Sequence, residues 1–488
     1  MPHRFAEFYA PGTPPIIRPS FDSVPAALVD TALRFPTRTA LDCCGKELTY
    51  AQLERRIRAA AQGLLDRGIR PGDRVSLVLP MSIDAVIAFH AVLRIGAIAV
   101  QHSANTPAAQ LSVLFDDYEP VAAIVCESRI EALRRIPSDA LPLSVIAVQR
   151  QSRPRPLPAI SLSRTVSGVR RVAGSTTREL ARTFVRRTRK KSPDAADGFY
   201  VAKWKDVVTS APLPVTHPYP ARDAVATLLY NAHAGRNPLG VMLTHENLCA
   251  VAEQSQLWRD AGEPGTETSL AMWPLSSVAG LADTLTTSLL HGRRITLLPR
   301  FHKSAVDKAV KKHPPTIIGA DVGVLAHLTE LADEGKLDLN AVKVVVTPAA
   351  KVQAELTEKW LRHVDRLPMM IGYGLSVSCV VTAIPAGIGR SAPANQTEMS
   401  IGIPFPATQL RVVDPQHRGR VMASGAVGEL MVKGSQVFHG YWRNSERTSE
   451  TLTGDGWART GHLAVMNDAG FVQVFGRVKH TPTTTVRD

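Results

Sequence analysis

Apolar and polar residues in the first third of the chain follow two alternating periods, one typical of strands and the other of helices. Short apolar runs at residues 75–79, 97–101 and 121–125 predict buried strands, whereas residues 83–96 repeat apolar side chains at helical spacing. Strands that alternate with helices in this way form parallel sheets that helices cover on both faces. We therefore predict an α/β subdomain over residues 1–149.

A second series of strands and helices begins near residue 226, and shorter strands with glycine-rich turns follow from about residue 400. The apolar runs of this part lie at residues 295–299, 316–318, 342–347, 369–374, 410–414, 428–434 and 470–476. The fold class predicted by this pattern is α/β, with two doubly wound α/β subdomains and a small β-rich subdomain. After the first subdomain we predict an insert at residues 150–200, the second α/β subdomain at 201–400 and the β-rich subdomain at 401–475.

The most apolar long stretch of the sequence, residues 75–100, is interrupted by Pro80, Asp84, His90 and Arg94. It is therefore predicted to be a buried strand followed by a core helix, and not a membrane span. The N-terminus lacks the apolar core of a secretory signal, which indicates a cytoplasmic chain. The five cysteines show no metal-ligand spacing, so no metal site is predicted.

The net charge of +14 is concentrated in the predicted insert. Between residues 150 and 191, thirteen lysines and arginines stand against a single acidic residue, Glu179, which leaves the rest of the chain nearly neutral. The charge is thus a property of one segment, and it does not indicate a basic surface over the whole protein.

The middle of this basic segment has the pattern of a short amphipathic helix. Ser175 is a candidate N-cap, and apolar side chains lie beside a dense basic face. This pattern predicts contact with an anionic membrane surface, and so a peripheral location at the inner face of the membrane. The residues predicted to make that contact are Arg178, Leu180, Phe184, Arg186, Arg187 and Lys190. A solvated loop is the alternative interpretation, and nucleic acid is not expected because the segment is poor in base-stacking aromatic side chains.

Six stretches, taken in order, resemble the AMP-forming acyl-CoA synthetases, an adenylating superfamily that includes long-chain fatty acyl-CoA ligases. They are residues 48–75, 240–248, 402–414, 428–442, 456–461 and 476–479. In residues 240–248, GVMLTHENL, Thr244 is predicted to cap a helix. The resemblance covers roughly residues 20–480 and implies the fold of the large N-terminal domain of adenylating enzymes. Activity is a separate question, because function resides in the site and not in the fold.

The phosphate-binding loop of that family resembles YTSGTTGxPKG, and the matching residues 230–240 read YNAHAGRNPLG. Tyr230, Pro238 and Gly240 match the family, whereas Leu239 stands at the position of the lysine. The hydroxyl positions hold Asn231, Ala232, Ala234 and Gly235, and two glycine positions hold His233 and Arg236. Phosphate loops bind through converging donors and a lysine, so this resemblance implies that the anion-binding groups are lost. A replacement cation supplied by Arg236 is the alternative.

The family motifs that contact adenine, magnesium and ribose resemble YGxTE and TGD. Here they read YGLSV at residues 373–377 and TGH at residues 460–462. Val377 cannot bind a metal ion, which needs oxygen ligands, and His462 replaces a carboxylate acceptor by an imidazole. The resemblance thus implies a vestigial nucleotide pocket of Tyr230, Gly235, Gly240, Tyr373, Gly374, Ser376, Thr460 and Arg477, with lost functions at Leu239, Val377 and His462.

Two motifs on the substrate side also differ from the family. PxFHxxG is matched by PLSSVAG at residues 274–280, without the Phe-His pair, and SGGAP is matched by TPAAK at residues 347–351. In the family a small C-terminal domain follows the hinge and supplies a lysine for adenylation. Residues 476–488 are predicted to be a hinge remnant with a tail, and that domain is expected to be absent.

Two functions are consistent with these motifs. The first is a catalytically impaired family member, a pseudoenzyme that binds an acyl ligand, a lipid surface or a partner, or has no role, with no cofactor expected. The lost groups amount to a deficit on the order of 5 to 8 kcal/mol, or roughly four to six decades in rate. The alternative is a long-chain fatty acid-CoA or acyl-AMP ligase that uses ATP, Mg²⁺ and CoA with non-standard residues or a C-terminal domain in trans.

Overall fold

The computed structural model describes residues 6–137, 140–142, 144–149, 199–230, 238–258, 262–347, 354–365, 367–387, 400–417 and 419–478. Within these ranges the α-helices are α1 (Val24–Arg34), α2 (Tyr50–Asp66), α3 (Ile83–Arg94), α4 (Ala108–Tyr118), α5 (Ile130–Leu133), α6 (Trp204–Val208), α7 (His245–Gln256), α8 (Thr287–Leu290), α9 (Lys303–Lys312), α10 (Val322–Asp333), α11 (Ala354–Leu361) and α12 (Ser445–Thr451). A π-helix, Ala279–Thr286, precedes α8 directly. None of the helices in this part of the chain is long and apolar enough to cross a membrane.

In the described ranges, the first sheet has eight strands with a parallel centre. Its strands, in spatial order, are β19 (Gly440–Tyr441), β9 (Gly240–Thr244), β8 (Val225–Tyr230), β4 (Ile98–His102), β3 (Arg74–Val78), β5 (Ala122–Cys126), β6 (Ser144–Val148) and β7 (Tyr200–Lys203). From β8 to β7 neighbouring strands are parallel, whereas β9 and β19 add antiparallel at one edge. The parallel centre explains why its strands are apolar on both faces.

The second sheet comprises thirteen strands among the residues that the structure describes, and it combines a parallel part with an antiparallel part. In spatial order they are β17 (Gln409–Val413), β18 (Gly428–Lys433), β20 (Ala458–Met466), β21 (Val472–Arg477), β16 (Ser400–Pro404), β15 (Cys379–Ile384), β14 (Met369–Leu375), β13 (Val344–Val346), β12 (Ile317–Gly319), β10 (Thr268–Ala271), β11 (Arg294–Leu297), β1 (Thr39–Cys43) and β2 (Lys46–Thr49). The strands from β14 to β1 run parallel, and those from β15 to β17 pair antiparallel. The predicted α/β fold with a β-rich part is confirmed.

Two pairs of strands lie in a different sheet from the one that their order in the sequence suggests. Strands β1 and β2 come from the N-terminal region but pair at the edge of the second sheet, beside β11. Strands β8 and β9 follow the basic insert, yet they complete the first sheet beside β4. The predicted boundary at residue 201 therefore does not divide the two sheets, and the subdomain limits stay predictions.

Helix α3 is the central buried helix, as the interrupted apolar stretch predicts. Every residue from Ile83 to Arg94 is buried except Asp84, and Val86, Phe89 and Val92 have no exposed surface. The Asp84 carboxylate instead accepts a hydrogen bond from Trp204 Nε1 at 3.0 Å. Because α3 lies in one core cluster with residues of both sheets, it joins the two halves of the molecule.

Candidate functional site

A cleft of about 610 Å³ opens where strands of both sheets end. Its described lining residues come from the carboxyl ends of β4 and β8 in the first sheet, with the segment after β4 and helix α4, and from the carboxyl ends of β13 and β14 in the second. The π-helix and the segment that leads into it complete the lining. Ligands of open α/β sheets bind at the carboxyl ends of the strands. The cleft is therefore the candidate functional site.

Three threonine hydroxyls bond to the backbone of the π-helix at the cleft. The hydroxyls of Thr284, Thr286 and Thr287 each donate to the backbone carbonyl five residues earlier, at distances of 2.7, 2.8 and 2.9 Å. The carbonyls concerned are those that accept the backbone N–H five residues later in a π-helix, so each hydroxyl adds a second donor to the same carbonyl. At its start Gly280 has no room for a side chain, because a Cβ would lie 2.2 Å from the Pro274 carbonyl oxygen.

Four of the eight residues predicted for a vestigial nucleotide pocket line the cleft: Tyr230, Tyr373, Gly374 and Ser376. Tyr230 ends β8, and its hydroxyl donates a hydrogen bond to the Asp117 carboxylate on α4. Burial raises the pKa of both groups above their ordinary values, so the tyrosine stays a neutral donor. Sequence reasoning did not identify Asp117 as the partner that orients Tyr230.

Gly240 serves the packing of this region. A Cβ at that position would lie 2.7 Å from the Tyr230 hydroxyl oxygen, so only glycine fits beside the ring. The Thr460 hydroxyl donates to the Leu430 carbonyl at 2.8 Å, and Arg477 is exposed opposite His462 in the β20–β21 pair. Thr460 and Arg477 are not among the described residues that line the cleft.

The three positions with predicted lost functions contain no carboxylate or ammonium group. Leu239 is half-buried, and Val377 packs against the main core while its carbonyl accepts a hydrogen bond from Phe438 N at 2.8 Å. His462 Nδ1 lies 2.8 Å from the Tyr373 hydroxyl, which lines the cleft. Burial and the neighbouring Arg477 lower the pKa of His462, so its imidazole is neutral.

Among the described residues, three cleft-lining side chains each contain a buried polar atom without a hydrogen-bond partner, and sequence reasoning did not single them out. The atoms are Asp283 Oδ1 on the π-helix, Gln101 Nε2 at the end of β4 and Thr347 Oγ1 after β13. Burial raises the pKa of the Asp283 carboxyl to about 8. The only sequence signal for Asp283 is an acidic residue in an otherwise apolar and hydroxyl-rich helical run.

A group of side chains with metal-ligand chemistry lies away from the cleft. Asp42, Glu47 and His313 approach one another closely enough to hold a cation. However, Lys312 Nζ lies 2.7 Å from Asp42 Oδ2 and also donates to Glu47. The Lys312 ammonium already pairs with both carboxylates, so this cluster is an ion-pair network.

Several predicted residues lie outside the described part of the chain. They are Gly235 and the rest of the loop at 231–237, residues 348–351 of the substrate-side turn, and the membrane-contact candidates Arg178, Leu180, Phe184, Arg186, Arg187 and Lys190. Their predicted roles stay predictions.

Comparison with known families decides where the chain belongs. The model of the family described as AMP-binding enzyme matches residues 28–442, which is most of the sequence. The chain belongs to the AMP-binding enzyme family. Within this family it is related to the AMP-forming acyl-CoA ligases, as the six ordered motifs imply.

The relatives of this AMP-binding family member include two bacterial long-chain-fatty-acid–CoA ligases. The one from Bacillus subtilis is 27% identical over 452 residues, which cover 93% of this chain and 76% of the relative. The one from Salmonella typhimurium is 25% identical over 479 residues, which cover 96% of this chain and 80% of the relative.

Solved structures of adenylating enzymes share the fold. A long-chain-fatty-acid-CoA ligase from Archaeoglobus fulgidus aligns with a TM-score of 0.73 at 20% identity, over 96% of this chain and 87% of that one. Apo MatB from Rhodopseudomonas palustris aligns with a TM-score of 0.71 at 20% identity, over 94% of this chain and 79% of that one.

Family membership implies ATP, Mg²⁺ and CoA as cofactors, and the described residues do not fit the nucleotide part of that set. No lysine or arginine is among the described residues lining the cleft, so these residues offer the phosphates no cation. Val377 and His462 provide no carboxylate for the metal or the ribose.

Proposed function

We propose that this member of the AMP-binding enzyme family binds an acyl ligand in its cleft without adenylating it. The observation that carries the proposal is the hydrogen bond between Tyr373 and His462. At the position of His462 the family resemblance implies an aspartate that accepts from the ribose hydroxyls. A neutral imidazole whose Nδ1 is already bonded to Tyr373 has no carboxylate acceptor to offer at that place.

The replaced side chains affect different parts of one nucleotide. Leu239 stands where a lysine would contact the phosphates, Val377 where a carboxylate would hold magnesium, and His462 where a carboxylate would hold the ribose. One preorganised group at a developing charge contributes about 2.7–4 kcal/mol to catalysis. Such losses are not additive, but three replacements at positions that the family uses for one nucleotide oppose both binding and reaction.

The alternative is a functional long-chain fatty acid-CoA or acyl-AMP ligase. It is favoured by the similarity to the Bacillus subtilis ligase, which extends over 93% of this chain. It is also favoured by the shared fold with MatB from Rhodopseudomonas palustris, which has been crystallised with ATP bound. This alternative requires that other residues supply the lost groups.

Calorimetric titration with Mg-ATP distinguishes the two functions. We expect the wild-type chain to bind Mg-ATP with a dissociation constant weaker than about 1 mM, and to release no pyrophosphate with a fatty acid. The single variants Leu239→Lys, Val377→Glu and His462→Asp should remain without activity, because the missing groups act as a unit.

The triple variant with all three exchanges is the matched control, since it recreates the family side chains in the same fold. Gain of Mg-ATP affinity in the triple variant alone supports the proposal. Low-micromolar binding by the wild type, or pyrophosphate release by a single variant, contradicts it and favours the ligase.

We also propose that residues 150–191 contact an anionic membrane surface. The support is the local excess of thirteen basic residues over one acidic residue, beside the apolar Leu180, Phe184 and Val185. This proposal is independent of adenylation, because an impaired and an active family member would use such a segment in the same way.

A further inference from the structure

Two adjacent cysteines, Cys43 and Cys44, lie in the turn that joins β1 to β2. Cys43 pairs with Lys46 across the two strands, so only Cys44 and Gly45 form the loop. Both loop residues have a positive φ, 53° for Cys44 and 85° for Gly45, as in a type I′ turn. Asparagine, aspartate or glycine normally occupies the first position of such a loop. The backbone alone therefore does not account for a cysteine at position 44.

The two cysteine side chains differ in exposure, but their sulfur atoms lie close together. Cys44 is exposed, whereas Cys43 is half-buried against the main core. The Cys43 thiol is close enough to the Cys44 thiol to hydrogen-bond with it, and the backbone N–H of Ile83 at the start of α3 also donates to the Cys43 sulfur. Neither cysteine is among the described residues that line the cleft, so the pair is a separate dithiol.

Hydrogen bonds and ion pairs fix the hairpin that carries the two thiols. Inside the turn, Gly45 N donates to Asp42 Oδ1 at 3.1 Å. Lys312 on α9 pairs with the carboxylates of Asp42 and Glu47, one on each strand of the hairpin. Strand β1 is also bonded to β11 along its length. Two sulfurs held in this way lose little conformational freedom when both bind to one atom.

The protonation of Cys43 decides which kind of ion suits this dithiol. Burial, the Cys44 thiol and the Asp42 carboxylate raise the pKa of the Cys43 thiol to about 12. A divalent metal ion binds thiolates, so it would have to displace the Cys43 proton. Trivalent arsenic consumes the thiols themselves and releases water. It is also pyramidal, so two sulfurs bonded to one arsenic atom lie close together, as the two thiols do here.

We propose that Cys43 and Cys44 form a dithiol site that binds trivalent arsenic compounds. In the first step the exposed Cys44 sulfur bonds to arsenic, and the thiol proton converts the As=O oxygen to a hydroxyl group. In the second step the Cys43 sulfur displaces that hydroxyl, which leaves as water with the Cys43 proton. Two As–S bonds form, and no atom is oxidised or reduced. The site is independent of the proposed acyl binding, because it lies outside the cleft.

Phenylarsine oxide is the probe for this site, because its arsenic atom has two positions for sulfur. Native mass spectrometry counts adducts on the full chain, and titration of reactive thiols counts the thiols that an adduct protects. We expect one adduct that protects two thiols. The dithiol 2,3-dimercaptopropanol should reverse it, whereas the monothiol 2-mercaptoethanol at the same thiol concentration should not. Linking two binding groups raises affinity by two to four decades, so removal of one sulfur should weaken binding at least roughly 100-fold.

Cysteine variants assign the adduct to the turn. Cys44→Asn is the decisive variant, because asparagine suits a positive φ and keeps the type I′ turn while it removes the sulfur. Cys43→Ser removes the second sulfur with little change in size, and it keeps the test valid if the asparagine variant does not fold. Both should lose the protected pair of thiols. Cys126→Ser is the matched control, since it removes a buried thiol outside the turn and should bind as the wild type does.

Each outcome either supports or overturns the inference. Loss of binding in Cys44→Asn and Cys43→Ser, with binding retained in Cys126→Ser, supports it. Absence of an adduct, an adduct that survives Cys44→Asn, or one that the monothiol reverses overturns it. Tighter binding of Zn²⁺ or Cd²⁺ than of phenylarsine oxide near neutral pH also overturns it, because the pair would then hold a divalent cation as thiolates.

Discussion

Asp283 combines a raised pKa with an unpartnered oxygen, and the combination has a consequence for stability. Its carboxyl has an ordinary pKa of 3.8, which applies when the chain is unfolded, and burial raises the pKa to about 8 in the folded protein. Between these values the unfolded chain loses the proton and the folded chain keeps it. The folded state is therefore destabilised progressively as the pH rises from about 4 to about 8.

We accordingly predict that Asp283→Leu stabilises the protein, and that the gain grows with pH. The gain at pH 8 should exceed the gain at pH 5 by on the order of 1–4 kcal/mol, because over this interval the unfolded chain is ionised at Asp283 while the folded chain keeps the proton. Urea denaturation at pH 5 and pH 8 measures it, with Ser269→Ala as the control whose effect should not depend on pH. A stabilisation that is equal at both values would mean that the carboxyl does not titrate in this range.

Some residues of the site could be identified from the sequence, and others could not. Leu239, Val377 and His462 are recognisable because each occupies a fixed place in an ordered motif. The bond between Tyr373 and His462 is not predictable, because the two residues lie 89 positions apart and meet only when β14 and β20 are placed in the folded sheet. Asp283 is missed for a similar reason, since nothing in its local sequence tells that it borders a cavity.

Among the elements, helix α7 connects the region of the phosphate-like loop to the second half of the molecule. Thr244 caps it as predicted, and Asn247 completes a reciprocal capping box. Asn247 Nδ2 also donates to the carbonyl oxygens of Ser435 and Val437, both at 2.8 Å. The start of α7 is thus held both locally and by a segment almost two hundred residues later in the chain.

We predict that Thr244→Ala lowers the free energy of unfolding by about 1 kcal/mol, since it removes the side-chain acceptor at the helix N-terminus. Thr244→Ser keeps the hydroxyl and should cost only a few tenths of a kcal/mol. Chemical denaturation of the three proteins gives the comparison. If alanine and serine variants were equally stable, the capping bond would contribute nothing, and the cross-chain bonds of Asn247 would hold the helix alone.

A helix or strand could be predicted where the repeat of apolar and polar side chains lies within the element itself. The runs at residues 75–79, 97–101 and 121–125 become β3, β4 and β5 with shifts of one residue. The π-helix was not predictable, because its apolar spacing resembles that of an α-helix and the difference lies in backbone hydrogen bonds. Sheet membership of β1, β2, β8 and β9 depends on distant partners.

The positive charge of the molecule is concentrated in residues 150–191, so the salt dependence of membrane binding can be tested. Each basic residue near an anionic surface contributes about 1 kcal/mol at low salt. We predict that a variant lacking residues 150–191 no longer co-sediments with anionic vesicles. Binding of the wild type should fall steeply when the salt concentration reaches a few hundred millimolar, because the Debye length then shrinks below about 8 Å.

Two full-length variants serve as controls for that experiment. Replacing Arg186, Arg187, Arg189, Lys190 and Lys191 by glutamine keeps the length and removes charge, so it should weaken vesicle binding strongly. Replacing Leu180, Phe184 and Val185 by serine should weaken it less. Equal binding to neutral and anionic vesicles, or no effect of the deletion, would favour a solvated loop.

The pairing of β19 with β9 has a consequence for how the protein is made. Gly440 and Tyr441 pair with Met242 and Val241. When the ribosome has made β9, the partner strand β19 is therefore still about two hundred residues from being synthesised. At roughly 5–20 residues per second, a ribosome needs on the order of 10–40 s to supply it. During that time β9 is an unpaired edge of the first sheet. In the same way, β1 has no parallel partner until β11 has been synthesised. Such edges are sites where chains pair wrongly, so we expect the growing chain to depend on chaperones that cover extended segments until synthesis passes residue 441.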